Sequence, residues 1–93
     1  MQWLEVVAVR MAGEAEAEKA LALCRQVLHQ EPESTLDRMT LYRSIEYRTD
    51  IGIHLHWQQA DGKPAKSRLG CQLTRLLRDF GMIRHTLWWD ASG

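Results

Sequence analysis

The chain has 93 residues, of which 45% are hydrophobic and 26% are charged, a balance typical of a small globular protein and not of a disordered one. Twelve basic and twelve acidic residues cancel, so the chain lacks the positive excess with which nucleic-acid-binding proteins engage phosphates. No apolar run approaches the length of a membrane span, and the first residues lack the basic and apolar segments of a signal peptide. We therefore expect one cytoplasmic domain, residues 1–93, that binds neither nucleic acid nor a membrane.

The first half of the chain predicts a strand, a helix and a second strand. Residues 4–9 are rich in β-branched side chains and predict the first strand, which Gly13 interrupts. A helix then extends towards Pro32, because good helix formers carry an apolar stripe of helical period at Ala17, Ala20, Leu21, Cys24, Val27 and Leu28. In residues 38–46, alternation predicts a strand with one apolar face formed by Met39, Leu41 and Ile45.

The second half of the chain predicts a strand, a helix and a closing strand. Residues 51–58 predict the third strand, and the breaker residues at 60–64 end it. The second helix begins after the N-cap Ser67, ends at Gly81, and carries an apolar stripe formed by Leu69, Leu73, Leu76, Leu77 and Phe80. Residues 82–89 predict the last strand. Cys24 and Cys71 fall within the two helices and are expected to be reduced thiols.

The order β-α-β-β-α-β determines the expected fold class, which is α+β. Each helix follows a strand and must cross over with right-handed geometry, so both helices lie on one face of the sheet. The arrangement is the ferredoxin-like fold, with a four-stranded antiparallel sheet in the strand order 4-1-3-2. We expect the first and third strands to be central.

The sheet face away from the helices has a mixed composition. Alternation places the apolar residues of the third strand under the helices, because the opposite parity would bury His54 and His56 among leucines. We expect the second face to combine imidazoles, a carboxyl and a phenol with apolar groups, at Trp3, Glu5, Val7, Val9, Tyr42, His54 and His56. A patch of this kind is typical of an interface, and it favours a homodimer that packs sheet against sheet.

Length, element order and aromatic pattern together resemble a known family. A chain of about ninety residues with this order, with Trp57 near the end of its third strand and a last strand that closes on Trp88 and Trp89, resembles the dimeric α+β barrel superfamily. Its antibiotic biosynthesis monooxygenase-like members are the most similar. The resemblance implies a homodimer with a central cavity or one cavity per subunit. Some members oxidise a small aromatic substrate there without metal or flavin, others degrade haem or isomerise small molecules, and others lack an established activity.

His54 and His56 form the pattern that most invites a chemical interpretation. They project from the same face of one strand, and with a third ligand, either Glu5 or His85, such a pair can hold zinc. Two histidines alone are a weak pattern, so we predict no metal site. A histidine that faces a carboxylate in a partly dry cavity can instead transfer a proton near neutral pH. We therefore name Glu5, His54 and His56 as candidate catalytic residues, with hydrogen bonding across a dimer interface as the alternative.

The leading functional hypothesis is a homodimer that holds a small organic, aromatic ligand in a cavity between its sheets. Trp3, Tyr42 and Trp88 are the predicted ligand-binding residues. The hypothesis includes a cofactor-independent, monooxygenase-like activity, so no cofactor is expected. The alternative is a dimer without enzymatic activity that senses a ligand or binds another protein.

Overall fold

Strands and helices follow one another in the predicted β-α-β-β-α-β order. The computed structural model describes residues 2–30, 35–58 and 63–92. Its strands are β1 (Gln2–Met11), β2 (Leu36–Arg43), β3 (Asp50–Gln58) and β4 (Gly81–Trp89). Its helices are α1 (Glu14–Leu28) and α2 (Arg68–Leu77), and a short 3-10 turn, Arg78–Phe80, joins α2 to β4. Pro32, predicted to end the first helix, and breaker residues 60–62 lie outside the described residues.

The four strands form one antiparallel sheet in the order β2-β3-β1-β4. This is the predicted order 4-1-3-2, with β1 and β3 in the centre, so the ferredoxin-like fold class is confirmed. At the middle of the sheet, Val6 on β1 pairs with His54 on β3 and with Thr86 on β4. Directly opposed residues of antiparallel strands project to the same side, so these pairings identify which side chains share a face.

Both helices pack against one face of the sheet and form the core with it. The fully buried apolar residues come from β1, β3, α1 and α2, and include Val7, Ile53, Leu55, Cys24, Leu73 and Leu77. The helical stripes and the odd-numbered residues of β3 therefore face one another, as predicted, except that Leu28 and Leu76, which were expected in the stripes, are 40% and 36% exposed. Within the described ranges, no helix is both long and apolar enough to cross a membrane.

The end of α2 and the end of β2 differ from their predicted positions. The helix stops at Leu77 and the 3-10 turn follows, so Gly81 caps this turn and begins β4, and it is not the cap of α2. A side chain at Gly81 would place its Cβ 2.0 Å from the carbonyl oxygen of Arg10. Glycine is needed here because the backbones of β4 and β1 approach each other closely. Strand β2 ends at Arg43, and Ile45, predicted to face the core, lies in the following turn and is 98% exposed.

The faces of β1 are the reverse of the prediction. Leu4 pairs with His56 and Val6 pairs with His54, so the even-numbered residues of β1 share a face with the two histidines. Trp3, Glu5, Val7 and Val9, which were expected beside His54 and His56, instead face the helices. The prediction was wrong because both faces of β1 carry apolar residues, so alternation alone does not distinguish them. We call the side away from the helices the open face; it carries Leu4, Val6, Ala8, Arg10, Arg38, Thr40, Tyr42, Asp50, His54, His56, Met82, Arg84, Thr86 and Trp88.

Candidate functional site

A fully buried carboxylate lies between the sheet and the start of α2. Glu5 is 0% exposed, and its Oε1 accepts hydrogen bonds from Trp57 Nε1 at 3.0 Å and Ser67 Oγ at 2.7 Å. Its Oε2 accepts from the backbone N–H of Ser67 at 3.0 Å and lies 2.5 Å from His85 Nε2. We call these four residues, Glu5, Trp57, Ser67 and His85, the Glu5 cluster. The cluster joins β1, β3, β4 and α2 at one point.

The sequence around the start of α2 explains how the carboxylate is accommodated. Ser67 caps the helix, since its Oγ accepts a hydrogen bond from the backbone N–H of Gly70 at 2.8 Å while its own hydroxyl donates to Glu5. The positive end of the helix dipole favours a negative group at this place. A Cβ at Gly70 would lie 2.0 Å from Glu5 Oε2, so only glycine leaves room for the carboxylate.

The predicted catalytic residues do not lie together. Glu5 faces the helices, whereas His54 and His56 lie on the open face, so the proposed pairing of the carboxylate with either histidine is wrong. The reason is the reversed parity of β1 described above. His85, which was considered only as a further metal ligand, is the imidazole that contacts Glu5. Individual catalytic roles for Glu5, His54 and His56 stay predictions.

The predicted ligand-binding residues are also divided between the two faces. Trp3 lies on the helix side, where its ring stacks on Trp57 with 5.7 Å between the centroids. Tyr42 and Trp88 lie on the open face and are 49% and 57% exposed. Tyr42 contacts His54 edge to face at 4.6 Å, and the Trp88 indole donates a hydrogen bond to Thr86.

The two histidines of the open face have neighbouring rings, with centroids 6.4 Å apart. Burial lowers the pKa of His54, and the neighbouring His56 lowers it further. Burial is also the main cause that lowers the pKa of His56, and Arg38 acts in the same direction while Asp37 opposes it. Among the residues that the structure describes, none donates to or accepts from the shielded His56 Nε2. Both imidazoles therefore favour the neutral form.

The described residues form no recognisable metal centre on either face. Outside residues 1, 31–34, 59–62 and 93, no three histidine, cysteine or acidic side chains are close enough to hold a metal ion. Glu5 and His85, the suggested additional ligands for the histidine pair, lie on the other side of the sheet.

A pocket of about 470 Å³ lies on the helix side, between the end of α1, the start of β2 and the start of α2. We call it the interhelix pocket. Its walls combine apolar side chains with two guanidiniums, two amides and one carboxylate: Val27, Leu28, Leu36, Met39, Leu69, Arg38, Arg68, Gln30, Gln72 and Asp37. The pocket adjoins the Glu5 cluster, since Leu36 pairs with Trp57 in the sheet and Arg68 follows Ser67 in the chain.

A second, more open depression of about 470 Å³ lies on the open face and is lined by Leu4, Val6, Ala8, His54, Arg84, Thr86 and Trp88. The sequence pattern predicted a cavity on this side but did not suggest the interhelix pocket. The sequence contains only a weak indication of this pocket. Asp37 and Arg38 lie at the start of a strand and Arg68 lies at the start of a helix, and these parts of the chain come together only in the folded protein.

Comparison with known proteins adds a fold-level likeness. No protein-family model matches the chain, and no curated protein matches it in sequence. A conserved protein of unknown function from Bacteroides thetaiotaomicron matches with a TM-score of 0.71 and 19% identity, over 94% of this chain and 95% of that one. SnoaB from Streptomyces nogalater, described as a cofactor-independent oxygenase, matches with a TM-score of 0.64 and 18% identity, over 99% of this chain and 95% of its own.

A third structure, from Bordetella bronchiseptica, is provisionally described as an antibiotic biosynthesis monooxygenase. It matches with a TM-score of 0.63 and 15% identity, over 97% of each chain. At identities this low, the structural likeness establishes the fold and leaves the activity to be tested. They confirm the predicted resemblance at that level: the chain has the fold of antibiotic biosynthesis monooxygenase-like structures.

Proposed function

We propose that the protein is a homodimer that binds a small aromatic molecule in the interhelix pocket of each subunit and oxidises it with O₂, without a bound cofactor. The observation that carries the proposal is the composition of this pocket. It has apolar walls, two arginines at its rim and one carboxylate, Asp37, among its described lining residues. Its volume of about 470 Å³ is within the range of small-molecule sites.

These groups suit the chemistry that a cofactor-free oxygenase needs. Such an enzyme must remove a proton from an activated carbon so that the resulting carbanion can give electrons to O₂. Asp37 is the candidate base, and Arg38 and Arg68 are placed to stabilise the negative charge that develops on the substrate. For an activated methylene, one atom of O₂ becomes the carbonyl oxygen of the product and the other leaves as water with the two hydrogens.

The Glu5 cluster supports this site without touching the ligand. Glu5 is fully buried, and the Ser67 groups that it binds immediately precede Arg68 and Leu69 of the pocket wall. We assign Glu5 a positioning role, since it holds the start of α2 and the indole of Trp57 in place. This replaces its predicted role as a base facing His54 or His56.

The dimer is proposed to form through the open faces. Tyr42, Trp88 and Met82 leave large apolar surfaces on this side, and Met82 is 77% exposed. A second copy would cover them and would enclose the open-face depression between two sheets. That depression is the second candidate for the ligand site, and it would match the cavity between sheets that the sequence predicts. The interhelix pocket is favoured over it because no carboxylate is among the residues that line the depression.

Oxygen uptake tests the proposed reaction. The substrates would be a panel of phenolic aromatic ketones with an activated methylene, and consumption of O₂ and product mass would be followed together. Asp37→Asn is expected to lower kcat at least about a hundredfold, the usual contribution of a general base. The matched control is Asp79→Asn, which alters an exposed carboxylate in the 3-10 turn and is expected to leave kcat unchanged.

Histidine variants distinguish the two candidate locations. His54→Gln and His56→Gln are expected to retain turnover if the substrate lies in the interhelix pocket. Loss of turnover in these variants, with normal turnover in Asp37→Asn, would place the reaction on the open face and overturn the proposed site.

A binding protein without enzymatic activity is the second candidate function. The environment of the Glu5 carboxylate favours it, because four hydrogen bonds from three residues and complete burial are also typical of a purely structural group. Calorimetric titration with the same aromatic panel distinguishes the two functions. Binding without oxygen uptake, abolished by Leu69→Trp in the pocket wall and preserved by Gln26→Trp on the exposed side of α1, would support the binding protein.

A further inference from the structure

His54 and His56 have no role in the proposed pocket, yet they lie at the centre of the open face. Both are on the central strand β3, and they pair with Val6 and Leu4 of the other central strand. A second copy packed on this face would therefore meet them near the middle of the contact. Two copies would bring four imidazoles into one interface.

The charged groups around the two imidazoles are mainly basic. Strand β2 contributes Arg38 and Asp37, which influence His56, and the phenol of Tyr42, which contacts His54. Strand β4 contributes Arg84, which lines the same depression as His54. The side chains of β1 opposite them, Leu4, Val6 and Ala8, are uncharged.

Farther along the same face, Asp50 of β3 is already engaged by Arg10 of β1, with N–O distances of 3.2–3.3 Å. Asp37 accepts a hydrogen bond from Gln58 Nε2 at 3.4 Å and is, among the described strands, the one carboxylate near the histidines without a cationic partner, so it alone can oppose their charge. Protonated imidazoles on two facing copies would lack sufficient anionic partners.

We propose that protonation of His54 and His56 dissociates the homodimer, so that the open-face contact is a pH-controlled one. The inference rests on the proposed dimer and adds its regulation. The geometry of the face makes the second copy the expected occupant. Strands of nine residues spaced by about 4.8 Å give a face of roughly 30 by 19 Å, which is about 570 Å² per copy.

The total of about 1,100 Å² is near the lower limit of specific protein interfaces. A contact of this size is weak enough to be reversed by unpaired charge. The pKa values of both histidines are already lowered in the single subunit, because burial on this face disfavours the charged imidazoles. This is the direction that the proposal requires. Packing a second copy over them would shield them further. The dimer is then favoured when both are neutral, and it is lost as the pH falls through the pKa values of the free monomer, which lie below the ordinary imidazole value of about 6.5.

Sedimentation equilibrium over about pH 5 to pH 8 measures the effect directly. The dimer dissociation constant is expected to rise at least about tenfold per pH unit in the acidic range, because uptake of one proton on dissociation gives that slope. The double variant His54→Gln, His56→Gln is expected to remain dimeric with little dependence on pH. The control is His29→Gln, which changes an exposed imidazole at the end of α1 and should preserve the wild-type pH dependence.

The outcomes separate the dimer from its regulation. A monomer at every pH and at high protein concentration would refute the proposed dimer itself. A dimer whose dissociation constant does not change with pH, or a double variant that keeps the wild-type slope, would refute the histidine switch and leave the dimer standing. Circular dichroism at each pH identifies any sample that has unfolded, and a chain that unfolds before it dissociates would also refute the switch.

Discussion

Replacing Glu5 with glutamine tests whether the Glu5 cluster holds α2 on the sheet. The substitution keeps the size of the side chain but replaces one accepting oxygen with an amide nitrogen that can only donate. If the nitrogen takes the place of Oε1, it faces the indole N–H of Trp57; if it takes the place of Oε2, it faces the backbone N–H of Ser67. Both of these partners can only donate, so either orientation leaves at least one buried donor without an acceptor.

The expected cost follows from these contacts. One unsatisfied buried donor costs about 1–3 kcal/mol, and the remaining hydrogen bonds weaken because their acceptor loses its charge. The glutamine no longer has to bury a charge, which offsets part of this loss. We therefore expect the free energy of unfolding to fall by about 2–4 kcal/mol, a large part of the 5–15 kcal/mol of a typical domain.

Urea unfolding followed by circular dichroism measures this loss at a fixed protein concentration. With a slope of about 1 kcal/mol per molar urea, the midpoint should fall by about 2 M or more. Glu46→Gln, at an exposed position in the turn after β2, is the matched control and should change stability by less than about 0.5 kcal/mol. If Glu5→Gln were as stable as this control, the carboxylate would not be what holds α2 on the sheet, and the reasoning would be refuted.

Two further predictions concern the close packing around the helices. Gly70→Ala should lower the melting temperature, although alanine favours helices, because its Cβ would lie 2.0 Å from Glu5 Oε2. In Gly52→Ala the nearest atom is 3.5 Å away, so this control should melt near the wild-type temperature; equal melting of both variants would contradict the steric argument. Cys71 is partly exposed and should react with a thiol reagent in the native protein, whereas Cys24, with burial raising its pKa to about 11, should react only after unfolding. Mass spectrometry of labelled peptides identifies the modified residue, and early labelling of Cys24 would refute its burial.

The fold could be predicted because its periodic signals are strong and agree with one another. In β3, apolar residues alternate with His54 and His56, so one face is clearly the buried one. The helical stripe through Ala17, Ala20 and Leu21 does the same for α1. Once the order of strands and helices is known, right-handed crossovers leave few ways to arrange the sheet.

The Glu5 cluster could not be predicted because it depends on one parity that the sequence leaves ambiguous. Strand β1 carries valine on both faces, at Val6 and Val7, and therefore gives no preference for the side of Glu5. A buried carboxylate also contradicts the usual expectation that charged residues avoid the core. Only the pairing of β1 with β3, together with the donors supplied by α2, shows that Glu5 has enough partners to be buried.

Strand β3 connects the two parts of the molecule that the proposals concern. Its odd-numbered residues face the helices, where Trp57 binds Glu5 beside the interhelix pocket, while its even-numbered histidines face the proposed partner. Side chains of opposite parity on one strand do not contact each other, so a change at His54 can alter association without altering the pocket. The two proposals therefore have separable consequences at neutral pH, where the histidines are uncharged and association does not depend on a carboxylate to oppose them. There, Asp37→Asn should impair turnover while the dimer persists, and the histidine variants should alter the pH dependence of association while turnover persists.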